Sequence, residues 1–174
     1  TMTQLQGSIT DGFKTSKKKA DVGRILSPIT PRAILCIGLN YRQHAAETNA
    51  ALPKYPVLFF KNPGAVQHPG DPSVLPRWMA SHKVDYECEL GVIIGKRARN
   101  VPRSHAYEYV FGYTCANDVS ARDWQLKKDG KQWMAGKTFD TFAPIGPHLV
   151  TKDEIPDPHA LCIRLRLNGK TMQD

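Results

Sequence analysis

The clearest strand pattern in the sequence lies in residues 84–95, Val84-Asp85-Tyr86-Glu87-Cys88-Glu89-Leu90-Gly91-Val92-Ile93-Ile94-Gly95. Every even position of this segment is apolar, and a period of two predicts a strand with one face in a core. The odd positions begin with three acids and continue with apolar residues, so this second face is polar at one end only. In a strand, Glu87 and Glu89 would point to the same side, about 7 Å apart.

Two carboxylates at this spacing repel each other unless water screens them or a cation lies between them. A lone Glu-x-Glu pair is more often a solvated strand face, but the apolar residues that follow on the same face argue against open solvent. A third acid, Asp118, follows the apolar run Val110–Asn117, which predicts a second core strand. Three carboxylates form an all-oxygen set that suits Mg²⁺, Mn²⁺ or Ca²⁺ and disfavours zinc or copper. We therefore predict an open metal site formed by Glu87, Glu89 and Asp118.

The composition is typical of one soluble globular domain, with 174 residues of which 41% are hydrophobic and 9% aromatic. No apolar run approaches the ~20 residues that span a bilayer, and the N-terminus lacks the apolar region of a secretory signal. The four cysteines lie far apart in apolar segments, at Cys36, Cys88, Cys115 and Cys162. This spacing predicts buried, reduced thiols in an intracellular protein, either cytoplasmic or mitochondrial.

The net charge of +8 first suggests a nucleic-acid partner. The basic residues are scattered, however, and do not form a stripe interleaved with aromatic side chains. Such a distribution is typical of solvated faces or of a protein that handles small anions. We therefore expect a small anion as the ligand, with neither a nucleic-acid nor a membrane partner.

The order of elements indicates a polar lead-in over residues 1–24 and one catalytic domain over residues 25–174. Residues 33–38 predict a buried strand and residues 56–60 the next strand. Residues 41–48 predict a helix with Asn40 as its N-cap and Asn49 as a left-handed exit. His44 and Glu47 stand at i and i+3 of this helix, a pairing that is usually surface decoration. Residues 62–77 carry several prolines and glycines and predict a long irregular loop.

Ser120-Ala121-Arg122-Asp123 has the spacing of a capping box, which predicts a second helix that begins at Ala121 and stops at Asp129-Gly130. Residues 137–147 are expected to be extended, and residues 161–167 to form a half-buried strand. Asn168-Gly169 predicts a two-residue hairpin turn. The return strand is short, and we therefore expect the chain to be a fragment of a longer polypeptide whose C-terminal part is missing.

Several segments in a fixed order match those of a known family: Gly38-Leu39-Asn40-Tyr41 with His44 and Glu47, Phe60-Lys61 with Pro63, Asp85-Tyr86-Glu87 with Glu89-Leu90, Asn117-Asp118-Val119-Ser120-Ala121-Arg122-Asp123-Trp124-Gln125, and Gly136-Lys137-Thr138-Phe139-Asp140-Thr141-Phe142 with Pro144-Ile145-Gly146-Pro147. In these segments the sequence resembles the fumarylacetoacetate hydrolase family. The resemblance covers residues 25–174 and is closest to the smaller fumarylacetoacetate hydrolase domain-containing proteins.

The resemblance implies an α+β fold that is mainly β, with mixed β-sheets rolled around a metal site, usually in a homodimer. It implies that the three carboxylates of the acidic set, Glu87, Glu89 and Asp118, bind Mg²⁺ or Mn²⁺, with Ca²⁺ as a further option. Three further residues would be catalytic, namely the water-activating pair His44 and Glu47, and Lys137. Four residues would bind the substrate, which the resemblance makes a small carboxylate: Arg122, Gln125, Lys61 and Tyr41.

The implied activity is metal-dependent hydrolysis of a carbon–carbon bond in a 1,3-dicarbonyl or acylpyruvate-type 2-oxo acid, through an enolate held on the metal. Oxaloacetate decarboxylation, and isomerase or lyase chemistry of the same family, remain alternatives because all of them pass through an enolate. A catalytically silent paralogue that acts as a binding module is the alternative from another class. The intact set of Glu87, Glu89, Asp118 and Lys137 argues against it.

Overall fold

The fold is that of a computed structural model, which describes residues 1–8, 12–78, 81–128, 130 and 132–174. The strands are β1 (Met2–Ser8), β2 (Gly12–Ala20), β3 (Ile34–Gly38), β4 (Val57–Lys61), β5 (Val66–Gln67), β6 (Val84–Asp85), β7 (Cys88–Ile94), β8 (Val110–Asn117), β9 (Ser120–Ala121), β10 (Ala143–Pro144), β11 (Val150–Thr151), β12 (Leu165–Leu167) and β13 (Lys170–Gln173). The α-helices are α1 (Arg42–Glu47), α2 (Arg122–Leu126) and α3 (Trp133–Lys137). Single 3₁₀ segments lie at Pro63–Ala65, Arg103–Tyr109 and Pro158–Ala160. The predicted mainly β character is confirmed.

The strands form several small sheets, and most of their pairs are antiparallel. The central sheet has the order β11-β8-β7, and the other pairs are β1-β2, β3-β4, β6-β9, β12-β13 and the parallel pair β10-β5. A small core of Val119, Ala121 and Phe142, joined by Trp124 and Phe139, lies where β9, α2 and the turn before β10 meet. No helix in the part of the chain that the structure describes is both long and apolar enough to cross a membrane.

The long strand predicted over residues 84–95 is interrupted. β6 pairs with β9 and β7 pairs with β8, and Glu87 lies in the break between them. The backbone of Glu87 is held there by two hydrogen bonds. Its N–H donates to Oδ1 of Asn117 at 3.1 Å, and its carbonyl accepts from the N–H of Asp118 at 3.0 Å. The break therefore places Glu87 beside Asp118 instead of continuing the ladder.

The apolar row of the same segment is only half-buried at Tyr86, Cys88 and Leu90 and is exposed at its other positions, which corrects the expectation of a core face. Val92 and Ile94 are 49% and 58% exposed, whereas Gly91 and Ile93 of the opposite face are half-buried. The outer faces of β3 and β4 are also apolar and exposed, at Leu35, Ile37, Leu58 and Phe60. Periodicity shows which residues share a face, but it does not say which face is covered.

Other local predictions have mixed outcomes. The strand Val110–Asn117 is confirmed, and so are the left-handed Asn49 (φ 51°) and the hairpin turn at Asn168 (φ 50°) and Gly169 (φ 80°). The strand predicted over residues 161–167 is shorter, because β12 begins only at Leu165.

The N-terminal region differs most from its prediction. Residues 1–24 contain the antiparallel pair β1–β2, so this region has regular structure and is not only a polar lead-in. Its division from residues 25–174 as a separate unit stays a prediction. The first helix begins after Tyr41, not after Asn40. All four cysteines are free thiols, but Cys115 and Cys162 are exposed, so the prediction of burial is wrong for these two.

Candidate active site

A buried carboxylate between two buried lysines marks the candidate active site. Lys61, the last residue of β4, places Nζ 2.5 Å from Oδ1 of Asp118, and Lys137, the last residue of α3, places Nζ 2.7 Å from Oδ2. Asp118 is 7% exposed, Lys61 3% and Lys137 1%. Burial opposes ionisation of Asp118, but the two lysines outweigh it and hold the pKa of the carboxyl below its usual value.

Lys137 donates to three acceptors, which are Oε2 of Glu87 at 2.9 Å, Oδ2 of Asp118 at 2.7 Å and Oγ of Ser120 at 2.7 Å. An ammonium has three hydrogens, so these contacts use all of them. The sequence prediction of an extended segment from Lys137 onward is wrong at this residue, because Lys137 ends a helix. That helix packs closely on α2 because Gly136 has no side chain. A Cβ there would lie 2.5 Å from the backbone N of Gln125.

Lys61 makes fewer contacts than Lys137. Besides Asp118, its ammonium donates to the backbone carbonyl of Val119 at 3.1 Å. Burial lowers the pKa of Lys61, and this effect exceeds the opposing attraction of Asp118. The site therefore contains two lysines with different environments.

Lys61, Lys137, Asp118 and Glu87 form a cluster of charged side chains, and Arg122, the first residue of α2, connects Asp85 to this cluster. Its guanidinium contacts Oε1 of Glu87, donates from Nε to Oδ2 of Asp85 at 3.0 Å, and donates to Oε1 of Gln125 at 3.0 Å. Burial lowers the pKa of Arg122, but Glu87 and Asp85 outweigh it, and the net pKa is raised. The structure thus brings together Arg122, Gln125 and Lys137. The family resemblance implied substrate binding for the first two and catalysis for Lys137.

Glu89 and Tyr41 lie next to this cluster. The Tyr41 hydroxyl accepts from the backbone N–H of Leu90 at 3.0 Å and hydrogen-bonds to the Glu89 carboxylate. Burial raises the pKa of Glu89 to about 7, and the carboxylates of Glu87 and Asp118 add to the increase. Burial likewise raises the pKa of Tyr41 to about 12. Ionisation of Glu89 is thus opposed by its burial and by the two neighbouring carboxylates.

The pair predicted to activate water is not joined to the cluster. His44 Nδ1 lies 4.0 Å from Oε2 of Glu47, and the two side chains are 54% and 72% exposed on α1. No hydrogen bond or ion pair between the described residues links either of them to Asp118, Lys61 or Lys137. Their catalytic role stays a prediction.

The donor set of Glu87, Glu89 and Asp118 fits a hard divalent cation in its chemistry. All of its donors are carboxylate oxygens. Burial first, and then the charges of Glu87 and Asp118, raise the pKa of Glu89, and a bound cation would offset both effects. Within the described residues, however, no three His, Cys, Asp or Glu side chains are grouped in a way that could hold a metal ion. Lys137 lies between Glu87 and Asp118 instead. The metal-ligand assignment therefore remains a prediction.

Sequence reasoning missed two residues of the cluster. Ser120 was expected to cap α2, but the helix makes no side-chain cap contact at its N-cap, Ala121, and the Ser120 hydroxyl contacts Lys137. Asp85 has no role in the sequence prediction, yet its carboxylate forms an ion pair with Arg122. The available signal was the position of Ser120, two residues after Asp118, because such residues share a side in extended chain.

Comparison with known proteins gives consistent matches. The family described as fumarylacetoacetate (FAA) hydrolase C-terminal matches residues 33–174. A mitochondrial oxaloacetate tautomerase of Xenopus laevis is 52% identical over 151 residues, which are 86% of this chain and 47% of that protein. The fumarylacetoacetate hydrolase domain-containing protein 2 homolog of Dictyostelium discoideum is 50% identical over 159 residues, 87% of this chain and 52% of that protein.

A solved structure matches nearly the whole chain. The crystal structure of 5-carboxymethyl-2-hydroxymuconate delta-isomerase from Mycobacterium smegmatis superimposes with a TM-score of 0.83 and 34% identity, over 98% of this chain and 64% of that one. The chain spans about half the length of the two relatives matched by sequence.

Proposed function

The chain belongs to the fumarylacetoacetate hydrolase family, and from this premise we propose that the intact protein interconverts the keto and enol tautomers of a small 2-oxo dicarboxylate such as oxaloacetate. The name of the Xenopus relative is that of an oxaloacetate tautomerase, and the name of the Mycobacterium structure is that of an isomerase. Both names describe rearrangement and not cleavage. They support the isomerase alternative over carbon–carbon bond hydrolysis.

The observation that carries this proposal is the buried arrangement of Lys61, Asp118 and Lys137 beside Arg122. A 2-oxo dicarboxylate brings two carboxylates and a keto oxygen that becomes negative in the enolate. Arg122 and Gln125 suit one carboxylate because the fork of a guanidinium matches that group. Lys137 supplies a fixed positive charge for the enolate oxygen.

Tautomerisation needs one proton to leave the carbon next to the keto group and one to reach the keto oxygen. Lys61 suits the transfer of the carbon proton because burial lowers its pKa, which favours release of a proton from its ammonium to the carbon as the enol becomes the keto form. Lys137 suits the oxygen end as a fixed positive charge, because three acceptors use all of its ammonium hydrogens. The proton that the enol oxygen releases would therefore pass to Lys61 and not to Lys137. The two lysines therefore take different parts in the proposed reaction.

The residues that would hold a divalent cation are Glu87, Glu89 and Asp118. Mg²⁺ is the first expectation, with Mn²⁺ or Ca²⁺ in its place. When bound, the cation would supply Lewis-acid stabilisation of negative charge on the substrate oxygen.

Hydrolysis of an acylpyruvate-type acid is the second candidate, and the observation that favours it is the His44–Glu47 pair on α1. Hydrolysis needs an activated water, whereas tautomerisation and decarboxylation do not. The exposure of this pair and its separation from the lysine cluster therefore support the tautomerase. The same cluster argues against a silent binding module, because buried charges are costly to keep.

We also propose that the protein is a homodimer without a nucleic-acid or membrane partner. A cytoplasmic or mitochondrial location agrees with the sequence expectation, and the word mitochondrial stands in the name of the Xenopus relative.

Three reactions measured side by side test the proposal: enol-to-keto conversion of oxaloacetate, its decarboxylation, and acylpyruvate hydrolysis, each with Mg²⁺ and with a chelator. The intact protein should accelerate the tautomerisation most. A protein that hydrolyses acylpyruvate but leaves the enol of oxaloacetate to decay at the buffer rate would contradict the proposal and favour the second candidate.

A further inference from the structure

The hydroxyl of Ser120 is the one neutral acceptor among the three that hold the Lys137 ammonium. We propose that Ser120 is a positioning residue, which holds the Lys137 ammonium as a fixed charge next to the substrate oxygen by accepting one of its three hydrogens. The catalytic consequence rests on the proposed function, whereas the structural consequence for Lys137 does not.

The direction of each hydrogen bond follows from the chemistry of the groups. An ammonium only donates, so Ser120 Oγ must accept from Lys137 Nζ, at 2.7 Å. The hydroxyl hydrogen must then point elsewhere. The acceptors in reach are the backbone carbonyl of Asp118 at 2.9 Å and Oε1 of Glu87 at 3.3 Å. Ser120 therefore relays the position of the backbone at Asp118 to the end of the Lys137 side chain.

The strand pair β6–β9 holds Ser120 in place. Asp85 and Ser120 are direct partners in this antiparallel pair, and Val84 pairs with Ala121. Ser120 is 0% exposed. Asp85 contacts Arg122 and Ser120 contacts Lys137, so one short ladder contacts two of the three cations of the proposed site.

The two other acceptors of Lys137 cannot fix it alone. Both are carboxylates, and Glu87 also binds Arg122, while Asp118 also binds Lys61. Each is therefore shared with a second cation. Without the Ser120 oxygen, one N–H of a buried ammonium would lose its partner, and the side chain would be free to turn between the carboxylates.

Three substitutions distinguish the effect of the Ser120 hydroxyl from the effect of the side-chain volume. Ser120→Ala removes the acceptor, and Ser120→Cys keeps a similar shape with a weak acceptor. Ser120→Thr retains the hydroxyl and suits the extended backbone of β9. The matched control is Ser81→Ala, because the Ser81 hydroxyl donates to Oδ1 of Asp123 at 2.6 Å outside the cluster.

The first readout is the ¹H–¹⁵N signal of the Lys137 ammonium in lysine-labelled protein, identified by its loss in Lys137→Arg. A fixed and buried ammonium exchanges slowly and gives a signal, so the wild type, Ser120→Thr and Ser81→Ala should show it. Ser120→Ala and Ser120→Cys should lose it. A signal retained in Ser120→Cys, or a signal absent from the wild type, would overturn the proposal.

The second readout is the kinetics of oxaloacetate tautomerisation. We expect kcat to fall about 10- to 100-fold in Ser120→Ala and Ser120→Cys, with KM within about 2-fold of wild type. The reason is that a displaced Lys137 ammonium weakens stabilisation of the transition state more than it weakens substrate binding. Ser120→Thr should restore kcat. A rise in KM alone, or an unchanged kcat in Ser120→Cys, contradicts the positioning role. If the wild type has no tautomerase activity, the proposed function fails, and the ammonium signal still decides the role of Ser120.

Discussion

Asp118 and Lys137 form an ion pair at 2.7 Å in a part of the protein where both side chains are buried. The other oxygen of Asp118 is bound to Lys61, so one carboxylate contacts two cations. Burying charges is unfavourable unless each has a partner, and such arrangements are more typical of functional sites than of stabilising ones. The pair therefore lies at the centre of the candidate active site.

Asp118→Asn should destabilise the fold strongly, because it leaves Lys61 and Lys137 buried with too little negative charge. We expect a loss of about 3 kcal/mol or more in the free energy of unfolding, measured by urea denaturation. The control is Asp71→Asn, since Asp71 pairs with Arg24 at the surface and should cost under about 1 kcal/mol. Equal losses in the two variants would show that the buried cluster is not formed as described.

Gly136→Ala should damage the contact between α2 and α3. The new Cβ would lie 2.5 Å from the backbone N of Gln125 and 2.7 Å from the carbonyl of Ala121, so one helix must move. We expect a destabilisation of about 1–3 kcal/mol by urea denaturation, together with loss of activity because Lys137 follows directly. Gly23→Ala is the control, because nothing lies within 4 Å of the added atom. A fully stable and active Gly136→Ala protein contradicts this packing.

Glu89 should make the chelator-treated protein less stable as the pH rises. Burial raises its pKa from 4.5 to about 7, so the folded state binds this proton more tightly than the unfolded state. The stabilisation is complete below the unfolded pKa and is lost as the pH passes through about 7. Urea denaturation at several pH values from about 5 to 8 should show a decline that Glu89→Gln reduces. A variant that declines as steeply as the wild type would rule out Glu89 as the cause.

His44→Ala should separate the two enzymatic candidates. If His44 activates water, its removal should lower acylpyruvate hydrolysis by about 10²–10⁴-fold, while oxaloacetate tautomerisation changes little because it needs no water. Both rates are measured on the same preparation. His105→Ala is the control, since His105 forms a similar i, i+3 pair with Glu108 at the surface, 2.6 Å apart. A tautomerase rate that falls as far as the hydrolysis rate would place His44 in the tautomerase mechanism.

Sequence patterns predicted the local elements better than their surroundings. Val110–Asn117 is a strand as expected because its apolar run leaves little alternative, and Asn168-Gly169 turns as expected because both residues adopt positive φ. The outer row of β7 was expected in the core but is exposed at Val92 and Ile94. Such a row gives the relative orientation of side chains, whereas burial depends on which other elements cover it.

The members of the candidate site were mostly predictable, but their contacts were not. Lys61 and Lys137 contact Asp118, Arg122 contacts Glu87, and Gln125 contacts Arg122. The substrate-binding and catalytic roles that the family resemblance implied for these four residues stay predictions. Ser120 was taken for a helix cap because its spacing from Asp123 fits a capping box, although the pairing of β9 with β6 turns it toward Lys137. The pairing of β9 with β6 is long-range, so the local sequence indicates only that Ser120 and Asp118 share a side, and not that Ser120 contacts Lys137.

The most direct test of the proposed function compares Lys137→Met with Lys127→Met in the intact protein, by the ultraviolet absorbance of enol oxaloacetate as it converts to the keto form. Lys127 lies exposed just after α2 and serves as the matched control. We predict that Lys137→Met lowers the enzymatic rate about 100-fold or more, because it removes the fixed charge at the enolate oxygen, and that Lys127→Met keeps the wild-type rate. A Lys137→Met protein that is folded and converts the enol as fast as the wild type would contradict the assignment of this cluster as the active site.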